Sequence, residues 1–247
     1  MNRLKDKVII VTGGNGLIGQ HIVQRLLEES ATCYCVDIAE PTQKLPYFIQ
    51  ADITDPSSVD KLVETVLERH QRIDGWVNNA YPRTKDWGVP FEDIPLGSWK
   101  TNVDMQLNML FYCSQKVLEV MKNAQCGSLV NVASIYGVVG NDFTVYENTG
   151  GMTSPAAYSA IKGGVINFTR YLASYYGKYN VRVNTVSPGG VFDYQNETFV
   201  KQFESRVPLR RMAKPQEIAP GVAFLLSDDA SYISGHNLMI DGGWTAI

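Results

Sequence analysis

The chain has 247 residues, of which 45% are hydrophobic and 19% are charged, and its formal net charge at pH 7 is −3. This composition supports a large buried core and excludes a disordered chain. The small negative charge gives no electrostatic reason to expect nucleic acid or an anionic membrane as a partner.

The N-terminal residues lead directly into the first apolar run without a signal-peptide pattern, and no later run is long enough to cross a bilayer. We therefore expect a cytoplasmic protein with no membrane partner. The four cysteines lack zinc-ligand spacing, so we expect free thiols in a reducing compartment and no metal site; they are Cys33, Cys35, Cys113 and Cys126.

The first predicted strand runs from Lys7 to Val11 and breaks into three evenly spaced glycines before a helical pattern begins. In a strand, turn and helix of this kind, Gly13 permits the tight turn, Gly16 lets the backbone approach a pyrophosphate, and Gly19 allows close helix packing. The helix N-terminus adds free N–H groups for the anion. The alternative is a glycine-rich turn that binds nothing. The predicted phosphate cradle comprises Gly13, Asn15, Gly16, Leu17, Ile18 and Gly19.

The second predicted strand, Ala31–Val36, ends at Asp37, which lies 18 residues after Gly19. A dinucleotide fold places at this point the carboxylate that accepts from the ribose hydroxyls of the adenosine. A carboxylate repels a 2′-phosphate, and no Arg or Lys follows directly, so we expect NAD rather than NADP. The alternative is an ordinary polar strand end.

The remaining predicted elements alternate between strands and helices. They are a strand at Tyr47–Gln50, a helix beginning at Pro56, a strand at Gly75–Val77, a loop at Tyr81–Pro95, a helix at about Leu96–Asn123, a strand at Gly127–Ala133, a polar segment at Tyr136–Pro155, a helix from Ala156 to about Lys178, a strand at Val181–Val186, a mobile segment at about 190–210, a helix at Pro215–Leu226 and a strand at Asn237–Ile240. We predict a single α/β domain over 1–247, a Rossmann-type, doubly wound, seven-stranded parallel sheet with helices on both faces. Ligands in such sheets bind at the carboxyl ends of the strands.

Two residues on the long helix that begins at Ala156 have the pattern of an acid/base pair. Tyr158 and Lys162 are four residues apart, so they share a helix face. A free tyrosine has a pKa of about 10, and a nearby ammonium with an oxidised nicotinamide ring would lower it toward neutrality. Ser134, at the end of the adjacent strand, could donate to a substrate oxygen. The alternative is an exposed Tyr and Lys pair without a catalytic role.

These motifs together resemble the short-chain dehydrogenase/reductase family over essentially the whole chain. The matching positions are Thr12–Gly19, Asp37, Asp52-Ile53, Asn78-Asn79-Ala80, Ser134, Tyr158, Lys162, Pro188-Gly189 and Asp241-Gly242-Gly243. The resemblance implies Tyr158 as general acid/base, Lys162 as phenol activator and ribose ligand, and Ser134 as the residue that orients the substrate. It also implies that the adenine lies beside Asp52 and Ile53, that Asn79 and Ala80 line the cofactor site, and that Pro188, Gly189 and Val191 lie beside the nicotinamide. A homotetramer or homodimer built on the long helices is implied as well.

The chain departs from the family pattern at several positions. Tyr81 stands where glycine is usual, and Asp193 stands where a threonine often contacts the nicotinamide amide. Counting from Trp99 places Gln106, flanked by Asn102 and Asn108, at the position of the catalytic asparagine. The gap between Ser134 and Tyr158 contains an insertion at about 140–155, predicted to lie over the active site either as a set of substrate contacts or as a surface loop or subunit contact. Its polar residues are Asn141, Asp142, Tyr146, Glu147, Asn148 and Thr149.

We therefore expect an NAD(H)-dependent oxidoreductase that acts on CH–OH groups and interconverts a secondary alcohol and a ketone of a small-molecule substrate. The loop from Tyr81, the insertion and the ending Asp241–Ile247 resemble a narrower group of bacterial reductases associated with surface-polysaccharide and flagellin-glycan (nonulosonic acid) biosynthesis. That resemblance implies a carbohydrate or sugar-derived substrate. Two alternatives stay open, a non-catalytic dinucleotide-binding regulatory protein and, from the glycine spacing, a nucleotide-sugar epimerase or dehydratase.

Overall fold

A computed structural model describes residues 2–41 and 45–247 of the chain. Seven strands form one sheet: β1 (Val8–Thr12), β2 (Thr32–Asp37), β3 (Phe48–Gln50), β4 (Gly75–Asn78), β5 (Gly127–Val132), β6 (Val181–Pro188) and β7 (Asn237–Ile240). They lie in the order β3-β2-β1-β4-β5-β6-β7, and all six neighbouring pairs are parallel. The chain builds outward from β1 in one direction and then resumes at β4 on its other side. This reversal opens a crevice at the carboxyl ends of β1 and β4.

Helices cover both faces of the sheet, as predicted for a doubly wound fold. They are α1 (Gly19–Glu28), α2 (Pro56–His70), α3 (Leu96–Val103), α4 (Met109–Ala124), α5 (Ala156–Tyr176), α6 (Glu197–Arg206) and α7 (Ala219–Leu226). Neighbouring strand residues point to opposite faces, so Trp76 packs with residues of α2, α4 and α5, whereas Val77 packs with residues of α1 and α7. Both side chains are fully buried, which explains why the strands are apolar without alternation.

Two helical segments differ from the sequence prediction. The single helix expected over about Leu96–Asn123 is divided into α3 and α4 by one π-helical turn, Asp104–Asn108. The segment expected to be mobile contains α6, which is capped by Asn196 and buries Phe199 and Phe203 on one face. Two apolar residues four apart in a short polar stretch are a weak helical signal, and the buried partners of those rings come from distant parts of the chain.

Within residues 2–41 and 45–247, no helix is long and apolar enough to cross a membrane. The four cysteines are free thiols, three of them buried. The same residues contain no group of three or more His, Cys, Asp or Glu side chains arranged to hold a metal ion.

Candidate active site

A cleft of about 860 Å³ opens at the carboxyl ends of the strands. Most of the residues predicted from sequence to bind a cofactor or to act on a substrate line it, namely Gly13, Gly16, Leu17, Ile18, Asp37, Asp52, Ile53, Asn79, Ala80, Tyr158, Lys162, Pro188, Gly189 and Val191. Four predicted site residues, Asn15, Gly19, Ser134 and Gln106, are not part of its lining. Their positions are described below.

The glycine turn after β1 has the shape of a cradle for a phosphate group. Gly13 has φ of 63°, and a Cβ at this position would lie 2.7 Å from the Cα of Ala80. A Cβ on Gly16 would approach only the Gly13 carbonyl oxygen, at 3.2 Å, so this glycine leaves backbone open to the cleft. Gly19 faces the opposite way, because a side chain there would collide with the Gly13 carbonyl. The turn therefore fits a pyrophosphate at Gly16, and Gly19 serves helix packing.

Substitutions at two of these glycines are expected to have different effects. Gly13→Ala places a Cβ against backbone at positive φ and should lower the free energy of unfolding by about 1–3 kcal/mol. Gly16→Val should leave unfolding nearly unchanged while raising the Kd of NADH about 10-fold or more, since its side chain enters the cleft. Urea unfolding and NADH fluorescence titration separate the two effects. Equal NADH affinity in Gly16→Val and wild type would contradict the cradle assignment.

At the other side of the turn, Asp37 ends β2 and faces the same cleft. One carboxylate oxygen accepts from the Asn15 backbone N–H at 3.0 Å and the other from the Ala39 N–H at 3.3 Å. The Asn15 side chain donates to the Ala39 carbonyl at 2.6 Å, so Asn15 organises the turn instead of lining the cleft. No lysine or arginine of the described residues lies within 4 Å of the Asp37 carboxylate. The carboxylate is therefore free to accept hydrogen bonds from hydroxyl groups, and its negative charge would repel a phosphate.

Tyr158 and Lys162 lie in the first two turns of α5, on the face that points into the cleft. The Lys162 Nζ donates to the Val132 carbonyl at 2.8 Å and lies 5.6 Å from the centroid of the Tyr158 ring. Burial lowers the pKa of Lys162 to about 8. Burial also raises the pKa of Tyr158 above its ordinary value, although the Ser134 hydroxyl acts in the opposite direction. The protein alone thus keeps the phenol protonated, and further positive charge is needed to generate the phenolate.

The low pKa of Lys162 should make the free energy of unfolding of the cofactor-free protein depend on pH. The unfolded chain keeps the lysine proton up to a pKa of about 10.4, whereas the folded protein loses it near 8. The unfolded state therefore binds more protons between these pH values, so the free energy of unfolding should rise with pH across this window. The difference between wild type and Lys162→Met, measured by urea unfolding from pH 7 to 10, isolates this effect. A difference that is independent of pH would show that Lys162 titrates normally.

Ser134 and Gln106 are both buried beside the cleft. The Ser134 Oγ accepts from the Tyr136 N–H at 3.2 Å. Gln106 lies in the π-helical turn, and neither atom of its side-chain amide has a hydrogen-bond partner among the described residues. Asn102, by contrast, is bonded to Thr84 and Ser98, and Asn108 donates to Asp104. An unpartnered buried amide marks a place for a water molecule or a ligand atom, and of these three side chains only Gln106 offers one.

Two aromatic side chains, Tyr81 and Trp87, pack against Tyr158. We call them the aromatic wall, and the sequence predictions gave this wall no role in the site. The rings of Tyr81 and Tyr158 meet edge to face with centroids 5.6 Å apart, and Trp87 packs edge-on against both. The Tyr81 ring also lies 5.5 Å from the Lys162 Nζ. The signal in the sequence was Tyr81 in place of glycine and the density of aromatic and cationic residues that follow it. This loop therefore forms the wall of the cleft beside Tyr158.

The insertion is joined to α6 and does not contribute to the cleft lining. Asp142 forms an ion pair with Arg206 at 3.3 Å, and the Gln202 side chain donates to two carbonyls of the insertion. The ring of Tyr146 packs on Phe199 with centroids 5.1 Å apart. The polar side chains proposed as substrate contacts are partly used inside the protein, since Asn141 is bonded to both Ser154 and Ser159. None of the insertion's polar residues lines the cleft.

Comparison with known proteins gives matches over nearly the whole chain. A family model described as enoyl-(acyl carrier protein) reductase matches residues 15–245. Post-translational flagellin modification protein A of Campylobacter coli is 30% identical over 98% of this chain and 99% of its own length. Cyclopentanol dehydrogenase of Comamonas sp. is 32% identical over the full length of both chains. A short chain dehydrogenase from Leptospira borgpetersenii, solved with bound NAD+, has a TM-score of 0.90 and 35% identity and covers 98% of this chain and 94% of its own.

Proposed function

This chain belongs to the short-chain dehydrogenase/reductase family, and on that premise we propose that it interconverts a secondary alcohol and a ketone on a carbohydrate or sugar-derived substrate. The coarser activity follows from the family: the protein is an oxidoreductase that acts on CH–OH groups with NAD as cofactor. The observation that carries the proposal is the placement of Tyr158 and Lys162 in the same cleft as Asp37 and the glycine turn.

The cofactor fits the residues of the cleft along its length. Gly16 and the backbone around it would hold the pyrophosphate, and Asp37 would accept from the ribose hydroxyls. Asp52 and Ile53 would flank the adenine, with Asn79 and Ala80 along the middle of the cofactor. Pro188, Gly189 and Val191 would lie beside the nicotinamide. When bound, NAD(H) supplies the hydride acceptor or donor.

The proton is handled by the chain's own residues. In alcohol oxidation, the Tyr158 phenolate oxygen takes the hydroxyl proton as the hydride leaves the substrate carbon; in ketone reduction it returns that proton to the carbonyl oxygen. The Lys162 ammonium, held in place by the Val132 carbonyl, stabilises the phenolate. The Ser134 hydroxyl donates to the substrate oxygen. The amide of Gln106 holds a water molecule that passes the proton on toward Lys162, in the role for which the family uses asparagine.

The proposed substrate class is based on the resemblance to known proteins and not on the insertion, whose polar residues do not line the cleft. The similarity to a flagellin modification protein, together with the loop and ending of this chain, supports a sugar-derived substrate of bacterial surface-glycan biosynthesis. Of the two alternative functions, an epimerase or dehydratase is favoured only by the glycine spacing. A regulatory protein without catalysis would have no need for an acid/base pair in its cleft, and Tyr158 and Lys162 both lie there.

A substrate panel tests the proposal directly. The protein is assayed with NAD and with NADP against monocyclic alcohols, free sugars, sugar acids and nucleotide sugars, with NADH absorbance as the readout and thermal shift as the binding assay. We expect turnover with NAD and a secondary alcohol of a sugar-derived compound. Bound NAD that is recycled with no net NADH formation would instead indicate an epimerase. NADH binding without turnover of any compound would indicate a regulatory protein.

We further propose that the protein is a homodimer or homotetramer through α4 and α5. Phe111, Tyr171 and Tyr175 are exposed on these two helices, and the Tyr171 and Tyr175 rings are stacked. Exposed aromatic patches of this kind mark protein interfaces. Tyr171→Glu should therefore reduce the mass measured by sedimentation, whereas the same change at the fully exposed Tyr232 should not. A monomeric wild-type protein would refute this assembly.

A further inference from the structure

We infer that Arg83 binds an anionic group of the substrate, a carboxylate or a phosphate, beside Tyr158. This inference rests on the proposed function, since it assigns a substrate class to the same cleft. Arg83 lies in the loop that follows β4 and lines the cleft together with Tyr81 and Pro82. Neither the phosphate cradle nor the proton-transfer residues account for a cation at this position.

The Arg83 guanidinium is placed by the aromatic wall. Its central carbon lies 5.3 Å from the centroid of the Tyr81 ring, whose edge-to-face partner at 5.6 Å is Tyr158. A cation stacked on an aromatic face is attracted to the ring while its N–H groups stay free to donate around the rim. The loop itself is anchored, because the Thr84 N–H donates to the Asn102 side chain at 3.1 Å. The charge is therefore held one ring away from Tyr158.

The guanidinium has no partner within the described part of the chain. Seven of the ten arginines there donate to carboxylates or to backbone carbonyls: Arg3, Arg25, Arg72, Arg182, Arg206, Arg210 and Arg211. Arg69, Arg83 and Arg170 form no such bond among residues 2–41 and 45–247, and of these three only Arg83 lines the cleft. An unpaired arginine in a binding cleft offers a planar fork of donors that matches carboxylate and phosphate oxygens.

The other charges of the cleft are consistent with an anion at this end. Asp37 ends β2 and Asp52 follows β3, and both strands lie on the far side of β1 from β4, the strand that leads to Arg83. Asp193 lines the cleft from the segment after β6, with no carboxylate oxygen within 4 Å of the guanidinium. The second cleft cation, Lys162, is bonded to the Val132 carbonyl and is assigned to proton transfer. Arg83 is thus the cation that remains for the substrate.

Two ring alcohols that differ by one charge test the inference. Cyclohexanol and hydroxycyclohexanecarboxylate are each assayed as substrates with NAD. The proteins compared are wild type, Arg83→Gln and the control Lys85→Gln, which removes an exposed cation of the same loop outside the cleft lining. We expect Arg83→Gln to lower kcat/KM for the carboxylate by about 10- to 100-fold and to leave cyclohexanol nearly unchanged, since a charge-assisted bidentate contact is lost. Lys85→Gln should change neither. Arg83→Lys should retain part of the preference.

Calorimetric titration of the NADH-loaded protein with acetate and with inorganic phosphate gives a readout that needs no turnover. Tighter binding of one anion, lost in Arg83→Gln, identifies carboxylate or phosphate as the preferred group. Equal losses for the charged and neutral alcohols, or a weaker Kd for NADH in Arg83→Gln, would overturn the inference, because the arginine would then serve the fold or the cofactor. If no alcohol of the substrate panel is oxidised but an anion still binds through Arg83, the proposed function fails while the anion site stands.

Discussion

Replacement of Tyr158 by phenylalanine is expected to lower kcat by about 10²- to 10⁴-fold, the usual contribution of a general acid/base. The ring would keep its edge-to-face contacts with Tyr81 and Trp87, so the cleft should retain its shape. Only the hydroxyl that we propose exchanges the proton is lost. The variant should therefore bind NADH with wild-type affinity and unfold at nearly the same urea concentration.

A matched control is available in Tyr112→Phe. This substitution removes a phenol that donates to Asp60 on α2, away from the cleft. We expect its kcat to match wild type. Turnover of Tyr158→Phe close to that of wild type, measured on a substrate from the panel, would refute the proton-transfer role. Loss of NADH binding in the same variant would show instead that the phenol is needed for cofactor binding.

Asp37→Asn is expected to raise the Kd of NADH by about 10- to 100-fold and to reduce the preference for NAD over NADP. The amide keeps the size of the side chain, and its single oxygen can accept from one of the Asn15 and Ala39 backbone N–H groups, which are now bonded to separate carboxylate oxygens. It loses the negative charge that strengthens the bonds to the ribose hydroxyls and repels a 2′-phosphate. Fluorescence titrations with NADH and NADPH measure both effects on one protein.

Asp193→Asn serves as the control, because it removes a second carboxylate from the same cleft. Asp193 lies in the segment after β6, whereas Asp37 ends β2. These two strands are four strand spacings apart in the sheet, which is about 19 Å. We expect it to leave the ratio of NADH to NADPH affinity unchanged. A wild-type ratio in Asp37→Asn would contradict the assignment of Asp37 to the ribose, and tighter binding of NADPH than of NADH by the wild-type protein would do so as well.

Several residues of the predicted site come together in the structure although they are far apart in the chain. The glycine turn, Asp37, Asp52, Asn79 and the Tyr158 and Lys162 pair all line one cleft. Each of them follows a parallel strand or lies on the helix after one, and the carboxyl ends of parallel strands meet at one edge of the sheet. Strand order and local motif were therefore sufficient to bring these residues together, and no side-chain contact had to be known in advance.

Other features depended on contacts that no local pattern contains. Among the described residues the amide of Gln106 has no partner, whereas Thr84 and Ser98 bond the amide of Asn102. The sequence does not show this difference, because Thr84 comes from another loop. The insertion pairs with α6 through Asp142 and the carbonyls that Gln202 bonds, and its polar residues do not line the cleft. The helical structure of α6 itself follows from burial of Phe199 and Phe203 against that insertion and against Trp244.

The sequence alone was sufficient to predict the doubly wound fold, the glycine turn that opens on the cleft and the shared helix face of Tyr158 and Lys162. These follow from hydrophobic periodicity, from glycine at positions that cannot hold a side chain, and from a four-residue spacing on a helix. Only the tertiary structure decided which polar groups remain free. Among the described residues it left Arg83 unpaired on the ring of Tyr81 and Gln106 without a partner, while it used Asn15, Gly19 and the insertion for contacts inside the protein. The reason is physical: whether a polar side chain is satisfied depends on every group within a few ångströms of it, and most of those groups come from distant parts of the chain.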